Sequence, residues 1–336
     1  MSRSFITLAA LSMAVATPFI SLQAQAVQRT HVSAAFGSDA NTATNCAAAA
    51  PCRFFTAAMS VTNPNGEVIV LDSGGYGAVT ITQSVALIAP TGVYAGISVF
   101  PGADGVTIAT AGVNVVLRGL SINGQGGNNG INMTAGNSLT IENCVISNLT
   151  QNGILVNAAT NVNITDTIVR RNGSNGITLQ NGVKATITRA VVSGNVNNPG
   201  IYLYGNTPST STVDIADSTV DGNSYGIYAL SNVSTAILKL SVRDSRIVRN
   251  SNYGLVAQST TGAAASLTAS NNMVSNNGFG LAASGAGAKV ISTGNTVTGN
   301  TQAGFYNNSG VFESAGNNTV RDNGANIGTI TVIAAQ

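Results

Sequence analysis

The sequence is poor in charge and contains no tryptophan. Only 8% of its 336 residues are Asp, Glu, Lys or Arg, against roughly a quarter in ordinary globular domains. The formal net charge is +2 and the basic residues are scattered, so the chain offers no basic stripe to nucleic acid. Its polar surface must instead consist of Asn, Ser and Thr.

Metal ligands are equally scarce. The chain has one histidine and three cysteines, which form no His/Cys cluster with the spacing of a zinc site. The calcium-binding repeat Gly-Gly-x-Gly-x-Asp is missing. The 12 acidic residues are scattered rather than clustered as calcium ligands. We therefore expect neither a metal site nor a cofactor.

Only one long apolar run is present, and it lies at the N-terminus. Residues 1–26 combine Arg3, an apolar stretch over residues 5–16 and the small-x-small sequence Ala24-Gln25-Ala26, which is the pattern of a cleaved secretory signal. Polar residues and a proline interrupt the run short of the roughly 18 apolar residues that a membrane helix needs. We expect export to the periplasm or the extracellular space, and a mature chain that begins near Val27 without a membrane span.

Export decides how the cysteines are interpreted. Cys46 and Cys52 flank an alanine run that ends at Pro51, and in an oxidising compartment we expect them to form a disulfide that closes a small loop. Cys144 falls in a column of small residues, so we expect a packed, inert thiol rather than a nucleophile.

What the sequence does contain is one short phrase, repeated from Ile146 onward. Each copy has an apolar residue, usually an asparagine three positions later, and then a glycine followed by another apolar residue. The apolar column is Ile146, Val169, Val192, Val220, Ile247, Val274, Val297 and Val320, and the glycine column is Gly153, Gly176, Gly200, Gly226, Gly254, Gly280 and Gly304, with Asn326 in its place in the last copy. A period of 23 to 28 residues predicts a solenoid.

Within each repeat, apolar and polar residues alternate, which predicts strands rather than helices. Leu139-x-Ile141 and Ile154-x-Val156 are examples, and no apolar stripe with a helical period competes with them. We predict an all-β fold, a single-stranded right-handed parallel β-helix with three strands per turn and about 10–11 turns over residues 66–336.

The residues before the coil are predicted to close its open end. Residues 27–65 form a lead-in and a cap, of which residues 27–45 are interpreted as irregular. A short helix over residues 53–61 places Phe55, Ala58 and Met59 on one face, where they can cover the first turn. Such a cap protects strand edges that otherwise invite aggregation.

Stacking gives the asparagine and glycine columns a physical reason. Adjacent strands lie about 4.8 Å apart, so like carboxamides can hydrogen-bond along the axis as a ladder. We predict a structural ladder at Asn172, Asn195, Asn223, Asn250, Asn277, Asn300 and Asn323. The glycine is interpreted as a turn residue with positive φ, which Asn326 can also adopt.

The repeated Asn-x-x-Gly-Ile phrase resembles that of the right-handed parallel β-helix proteins of the pectin-lyase-like superfamily, over roughly residues 66–333. The opening is similar to that of secreted bacterial members, through Gly37-Ser38-Asp39-Ala40-Asn41, the pair Cys46 and Pro51-Cys52, and Leu71-Asp72-Ser73-Gly74-Gly75-Tyr76-Gly77. This resemblance implies the fold and export. It does not imply a reaction.

Enzymes of this superfamily cluster two or three Asp with Arg, Lys or His on one outer sheet, and one column here is a weak counterpart. Asp166, Arg189 and Asp217 would stack in it as alternating charges, and Asp217 beside Asp244 is the best acid–base candidate. Alternatively, these Asp residues accept local backbone hydrogen bonds in turns, and Arg189 forms a surface ion pair. The full column is Asn143, Asp166, Arg189, Asp217, Asp244 and Asn271.

Two further observations weigh against catalysis. The Asn-Thr-Asp, Asp-Asp and Gly-His-Gly motifs of polygalacturonase-like hydrolases are missing, as is the Asp-Pro-His-Asp motif of alginate epimerases. His31 lies outside the predicted coil, so we expect no histidine acid or base on a strand face. We therefore favour the absence of a catalytic site.

An outward column favours a binding surface instead. It consists of Asn132, Leu155, Thr178, Tyr202, Tyr228, Val256, Ala282 and Tyr306. Tyr202 and Tyr228 are neighbours in this column, with Thr178 beside them, and a tyrosine offers sugars an apolar ring and a polar tip. Alternatively, the aromatic residues simply pair across strands, where they are favoured.

Three functions from different classes follow from these observations. We favour a secreted, non-catalytic module that binds a polysaccharide or a cell-surface glycan. The first alternative is a polysaccharide lyase or hydrolase that acts on an outer sheet of the coil. The second is a structural spacer or adhesin-like protein.

Overall fold

A computed structural model describes residues 27–334, which form a right-handed parallel β-helix of about 10 turns. Three parallel sheets run along the coil, which confirms the predicted fold class. The predicted signal segment, residues 1–26, lies outside the described residues. Within residues 27–334, no helix has the length and apolar character needed to cross a bilayer.

The chain visits three sheets in a fixed order, which we name A, B and C. Sheet A contains Val27–Val32, Thr62–Val70, Val85–Ile88, Asn114–Arg118, Ser138–Glu142, Asn161–Thr165, Lys184–Thr188, Thr210–Ala216, Ile237–Arg243, Ala265–Ser270, Ala288–Thr293, Val311–Ala315 and Thr331–Ile333. Sheet B contains Gly74–Gly75, Ala95–Val99, Leu120–Gly124, Val145–Ser147, Ile168–Arg170, Val191–Ser193, Thr219–Asp221, Arg246–Val248, Met273–Ser275, Thr296–Thr298 and Thr319–Arg321. Sheet C contains Val79–Ile81, Val106–Ile108, Ile131–Met133, Ile154–Asn157, Ile177–Gln180, Ile201–Gly205, Ile227–Ser231, Tyr253–Ser259, Phe279–Ser284 and Ala303–Asn308. Each turn therefore has an A–B corner, a B–C corner and a C–A loop.

The interior of the coil is filled by stacked apolar columns. In sheet B the predicted column from Ile146 to Val320 pairs in register at every step. Its members from Ile146 to Val297 are fully buried. Side chains alternate between the two faces of a strand, so each inward residue packs between its equivalents in the turns above and below. Each such burial stabilises the fold by about 1.5–3 kcal/mol.

The N-terminal end is closed by a cap that contains the two helices of the described residues. A disulfide joins Cys46 to Cys52, six positions apart, and a 3-10 helix spans Asp39–Thr44. The α-helix spans Phe55–Met59 and is shorter than predicted, because Phe54 is extended. Its buried residues are Phe55, Ala58 and Met59, as predicted.

The interpretation of residues 27–45 as wholly irregular is wrong. Val27–Val32 is a strand that pairs in parallel with Thr62–Val70 and extends sheet A past the predicted start of the coil. One of its buried residues is the polar Thr30, so the strand is not visible as an alternation of apolar and polar residues. His31 therefore lies in a strand of sheet A rather than outside the coil.

The corners place particular residues in left-handed backbone. At the A–B corner, Asn143, Asp166, Arg189, Asp217, Asp244 and Asn271 have φ between +51° and +55°. At the B–C corner, positive φ is found at Asn148, Arg171, Gly194, Gly222, Arg249, Asn276, Gly299 and Asp322. Asn, Asp and Gly tolerate this conformation best. Turn geometry thus accounts for most of the residue types in both columns.

The glycine column has a different cause from the predicted positive φ. Its described members, from Gly153 to Gly304, are not among the residues with positive φ. Instead, the space beside each of them is too small for a side chain. A Cβ atom on Gly254 would lie 2.8 Å from the Gly280 carbonyl oxygen and 2.9 Å from both Val274 Cγ1 and Asn277 Nδ2. The apolar column and the asparagine column together exclude a side chain at this position.

Candidate functional site

The predicted asparagine ladder lies inside the coil, just after the B–C corner. From Asn172 to Asn300, each Nδ2 donates to Oδ1 of the asparagine in the next turn, at 2.8 to 3.2 Å. The backbone N–H of each donates to the same Oδ1. These six asparagines are buried. Their amides are occupied by each other, so the ladder supports the coil and presents nothing to a ligand.

A second ladder, which the sequence analysis did not identify, lies at the A–B corner. Asn272 Nδ2 donates to Asn295 Oδ1 at 3.0 Å, and Asn295 Nδ2 donates to Asn318 Oδ1 at 3.3 Å. Earlier in the same column, hydroxyls take the place of amides, and the Ala190 backbone N–H donates to Ser218 Oγ. Cys144 belongs to this column, and burial raises the pKa of its thiol to about 11. The mixture of residue types concealed the ladder in the sequence.

The candidate acid–base column occupies the exposed A–B corner. Arg189 Nε and Nη2 donate to Asp166 Oδ1 and Oδ2 at 2.7 and 2.8 Å, a bidentate ion pair. The hydrogen bond from Arg189 lowers the pKa of the Asp166 carboxyl, which favours the ionised form. Asp244 accepts a hydrogen bond from Arg243 at 3.3 Å. Both contacts are surface ion pairs that involve residues with left-handed backbone at this corner. They agree with the alternative interpretation of the column, in which Arg189 forms a surface ion pair.

The outward column of sheet C has the register that the sequence predicts. Asn132, Leu155, Thr178, Tyr202, Tyr228, Val256, Ala282 and Tyr306 are consecutive partners. The rings of Tyr202 and Tyr228 lie 5.3 Å apart between centroids. Both are half-buried, and Thr178 is 5% exposed. The predicted binding residues are therefore adjacent on one outer face.

The aromatic surface is larger than predicted. Tyr225, Tyr253 and Phe279 precede the glycine of the repeat and form a second column, stacked at 5.6 and 4.7 Å between centroids. Tyr204 stacks on Tyr202 at 5.2 Å within one strand. The two columns are in contact, since Tyr225 stacks on Tyr228 at 4.9 Å. We name this continuous surface the aromatic strip: Tyr202, Tyr204, Tyr225, Tyr228, Tyr253, Phe279 and Tyr306.

The aromatic strip covers five consecutive turns, about 19 Å at the spacing of parallel strands. Rings within the second column cover each other's faces, so they offer edges and hydroxyls to solvent, as expected if aromatics pair across turns. Two hydroxyls have partners: Tyr228 donates to Gln258 Oε1, and Tyr204 accepts from Asn232 Nδ2. Desolvation, reinforced by neighbouring phenols, raises the pKa of both Tyr202 and Tyr228. The phenols therefore stay protonated well above neutral pH.

Sheet C also carries a polar cleft that the sequence analysis missed. The cleft measures about 590 Å³ and lies beside the cap helix, where Thr80 and Thr107 continue the outward column toward the N-terminus. Asp104 lines it and accepts hydrogen bonds from Asn129 Nδ2 at 2.8 Å and Asn132 Nδ2 at 2.7 Å. The outer face of sheet C is thus polar at one end and aromatic at the other.

The remaining candidates do not gather into a site. Within residues 27–334, no group of three or more His, Cys, Asp or Glu side chains is placed to hold a metal ion. His31 lies next to the disulfide loop, with Nδ1 3.3 Å from the Cys46 carbonyl oxygen, and not near the charged A–B corner residues of later turns.

Comparisons with known proteins agree with this architecture. The family model described as a right handed beta helix region matches residues 59–240. Among solved structures, the chain is similar to pectate lyase Pel9A, with 17% identity and a TM-score of 0.64 over 93% of this chain and 80% of that chain. The Dettilon tailspike protein gives 16% identity and a TM-score of 0.44 over 78% and 61% of the two chains. No curated protein matches the chain. At such identities the similarity shows the fold alone.

Proposed function

Because the chain belongs to the right-handed β-helix family, we propose that it is an exported, non-catalytic module that binds a polysaccharide along the outer face of sheet C. The observation that carries this proposal is the aromatic strip, seven rings in contact across five turns. All seven residues are partly exposed, and contiguous apolar surface in contact with solvent marks interaction sites on soluble proteins. Tyrosine combines an apolar ring with a polar tip, which suits a wet sugar surface.

The shape of the strip supports an extended ligand. Its rings recur once per turn, so a linear chain lying parallel to the axis would meet an equivalent group at each step. Thr178, one turn before Tyr202, is buried, and its hydroxyl donates to Asn152 Oδ1 at 2.9 Å and accepts from Asn175 Nδ2, so it supports the surface beside the strip rather than contacting the sugar. A repeating polymer fits a repeating surface better than a compact small molecule does.

Retention in native gels that contain a polysaccharide tests this proposal. We expect the mature chain to be retarded, and Tyr202→Ala combined with Tyr228→Ala to abolish the retardation without unfolding the coil. Asp217→Asn with Asp244→Asn is the matched control, because it changes two exposed corner residues on another side of the coil. Equal migration of all variants in every gel would overturn the proposal and leave a structural spacer or adhesin-like role.

One observation favours an enzyme as the second candidate. Arg189 pairs with Asp166 and also lies in the electrostatic field of Asp217, so three charges alternate along the A–B corner. A lyase acting there would raise ultraviolet absorbance on uronate polymers, and Asp217→Asn with Asp244→Asn would remove that activity. A measurable activity lost in this pair would promote the enzyme above the binding module.

A further inference from the structure

The charges of this molecule are unevenly distributed around the coil. Within the described residues, no strand of sheet C contains Asp, Glu, Lys, Arg or His, and neither does any loop that leads from such a strand to sheet A. Every ion pair found there lies on sheet A, on sheet B or at a corner next to them. The strands and the C–A loops on this face of the coil therefore contribute no charged side chain.

The few charges that border this face do not make it cationic. At the B–C corner, Arg249 is paired with Asp221, and Arg171 is one turn before the first tyrosines of the strip. The charge at the far end of the face is Asp104, an anion held by two asparagines. An acidic polymer would meet no row of cations here.

This distribution has consequences for the ligand. A uronate carboxylate laid on the strip would lose hydration without gaining a cationic partner, which is costly. Uncharged sugars avoid this cost, because their C–H faces pack on apolar surface and their hydroxyls bond to phenol, amide and hydroxyl groups. Protonated phenols and Gln180, which pairs with Tyr204, supply such groups.

We propose that the aromatic strip selects neutral polysaccharides over acidic ones, with the sugar chain lying parallel to the axis of the coil. This inference rests on the proposed function and adds to it the class of ligand. The selection arises from missing cations rather than from a specific contact to one sugar. It therefore predicts binding that is insensitive to salt, in contrast to the binding of a polyanion.

Parallel gels with neutral and acidic polymers test the selection. We expect retention in galactomannan, xyloglucan or dextran, at both low and high salt, and no retention in polygalacturonate or alginate. Retention only in the acidic gels would overturn the proposed selection for neutral polymers. If the Tyr202→Ala, Tyr228→Ala variant lost that retention, sheet C would still be supported as the binding face. Absence of retention in all five polymers would contradict the proposed function as well.

A charge placed on the strip gives an independent check. Gln180→Lys adds a cation beside Tyr204, whereas Thr268→Lys adds the same charge to the exposed face of sheet A. We expect Gln180→Lys to gain several-fold retention in polygalacturonate, reversed by salt, and Thr268→Lys to gain none. Equal gains in both variants, or none in Gln180→Lys, would contradict the assignment of selectivity to sheet C.

Discussion

Single residues inside the coil fix the distance between its turns. The buried asparagines after the B–C corner accept two hydrogen bonds from the preceding turn at one Oδ1, and the glycine column leaves them the space to do so. Loss of an amide leaves its buried neighbours with unmade hydrogen bonds, which costs more than the bond itself contributes. Stability is therefore expected to depend on these positions more than on exposed ones of the same type.

Asn250→Ala is expected to lower the free energy of unfolding by about 1–3 kcal/mol, because Asn223 loses the acceptor of two hydrogen bonds and Asn277 loses the Nδ2 donor. Chemical denaturation monitored by circular dichroism measures the change. Asn163→Ala on the exposed face of sheet A is the control and should cost less than about 0.5 kcal/mol. Equal losses in the free energy of unfolding for the two variants would show that a ladder asparagine stabilises the coil no more than an exposed asparagine does.

Gly254→Ala should destabilise the coil by about 1–3 kcal/mol, because the added methyl group overlaps the Gly280 carbonyl, Val274 and Asn277. The same denaturation experiment applies. Gly316→Ala is the matched control, since a Cβ atom there meets nothing within 4 Å and the backbone φ is not positive. A Gly254→Ala variant as stable as the control would rule out steric crowding as the reason for the glycine.

Much of the residue pattern could be predicted from the sequence. The physical reason for a given residue type could not always be determined, because different structural constraints select the same residue. The sequence assigned the inward columns and the register of the outward tyrosines, because these repeat at a fixed spacing. It misassigned the glycine, since positive φ and close packing both select glycine and only the neighbours in other turns distinguish them. Tyr225, Tyr253 and Phe279 were overlooked because they precede that glycine, where a turn was expected rather than a strand surface.

Among the elements, the cap is the one that does not repeat. It is tied to the first turn by Asp72, whose carboxylate accepts hydrogen bonds from Ser33 Oγ and the Ala34 N–H at 2.6 Å. The Ala35 N–H and the buried Tyr76 hydroxyl add two more. Non-repeating contacts of this kind carry no periodic signal, which is why the strand Val27–Val32 was not predicted.

The cap is expected to loosen in acid. Desolvation raises the pKa of Asp72, but the hydrogen bonds from Ser33, Tyr76 and the Ala34 and Ala35 N–H groups outweigh it and lower the pKa from 3.8 to about 2. A lowered carboxyl pKa contributes stability that is complete above the unfolded value and is lost as pH falls from 3.8 toward 2. The protection of the backbone amides of residues 27–76 against hydrogen exchange, measured relative to unprotected amides at the same pH, should fall over this interval. The later turns should lose protection only at lower pH.

Asp72→Asn provides the control for this pH dependence, because the amide does not titrate. The variant should exchange its cap amides faster than the parent at pH 6 and show a flatter response below pH 4, in the direction set by proton linkage. An equally steep acid response in the parent and in Asp72→Asn would assign the effect to other carboxylates.

The whole molecule combines a uniform interior with three different outer faces. Sheet A carries charged residues and half of the ion pairs found within residues 27–334, the A–B corner carries the Asp166–Arg189 pair, and the strands of sheet C carry the aromatic strip without charge. The interior is set by the repeat and tolerates little variation. The outer positions are free of that constraint, so their clustering on sheet C is the feature that most strongly points to a ligand.

Hydroxyl-radical footprinting, with and without the neutral polysaccharide that retards the chain most in native gels, tests whether the aromatic strip is the proposed binding surface. Tyr94 is 55% exposed and lies outside the strip, so it serves as an internal control in the same sample. We expect oxidation of Tyr202, Tyr204 and Tyr228 to fall several-fold on addition of polysaccharide while that of Tyr94 is unchanged. Unchanged oxidation of the three strip tyrosines, or protection of Tyr94 to the same extent, would contradict the proposal.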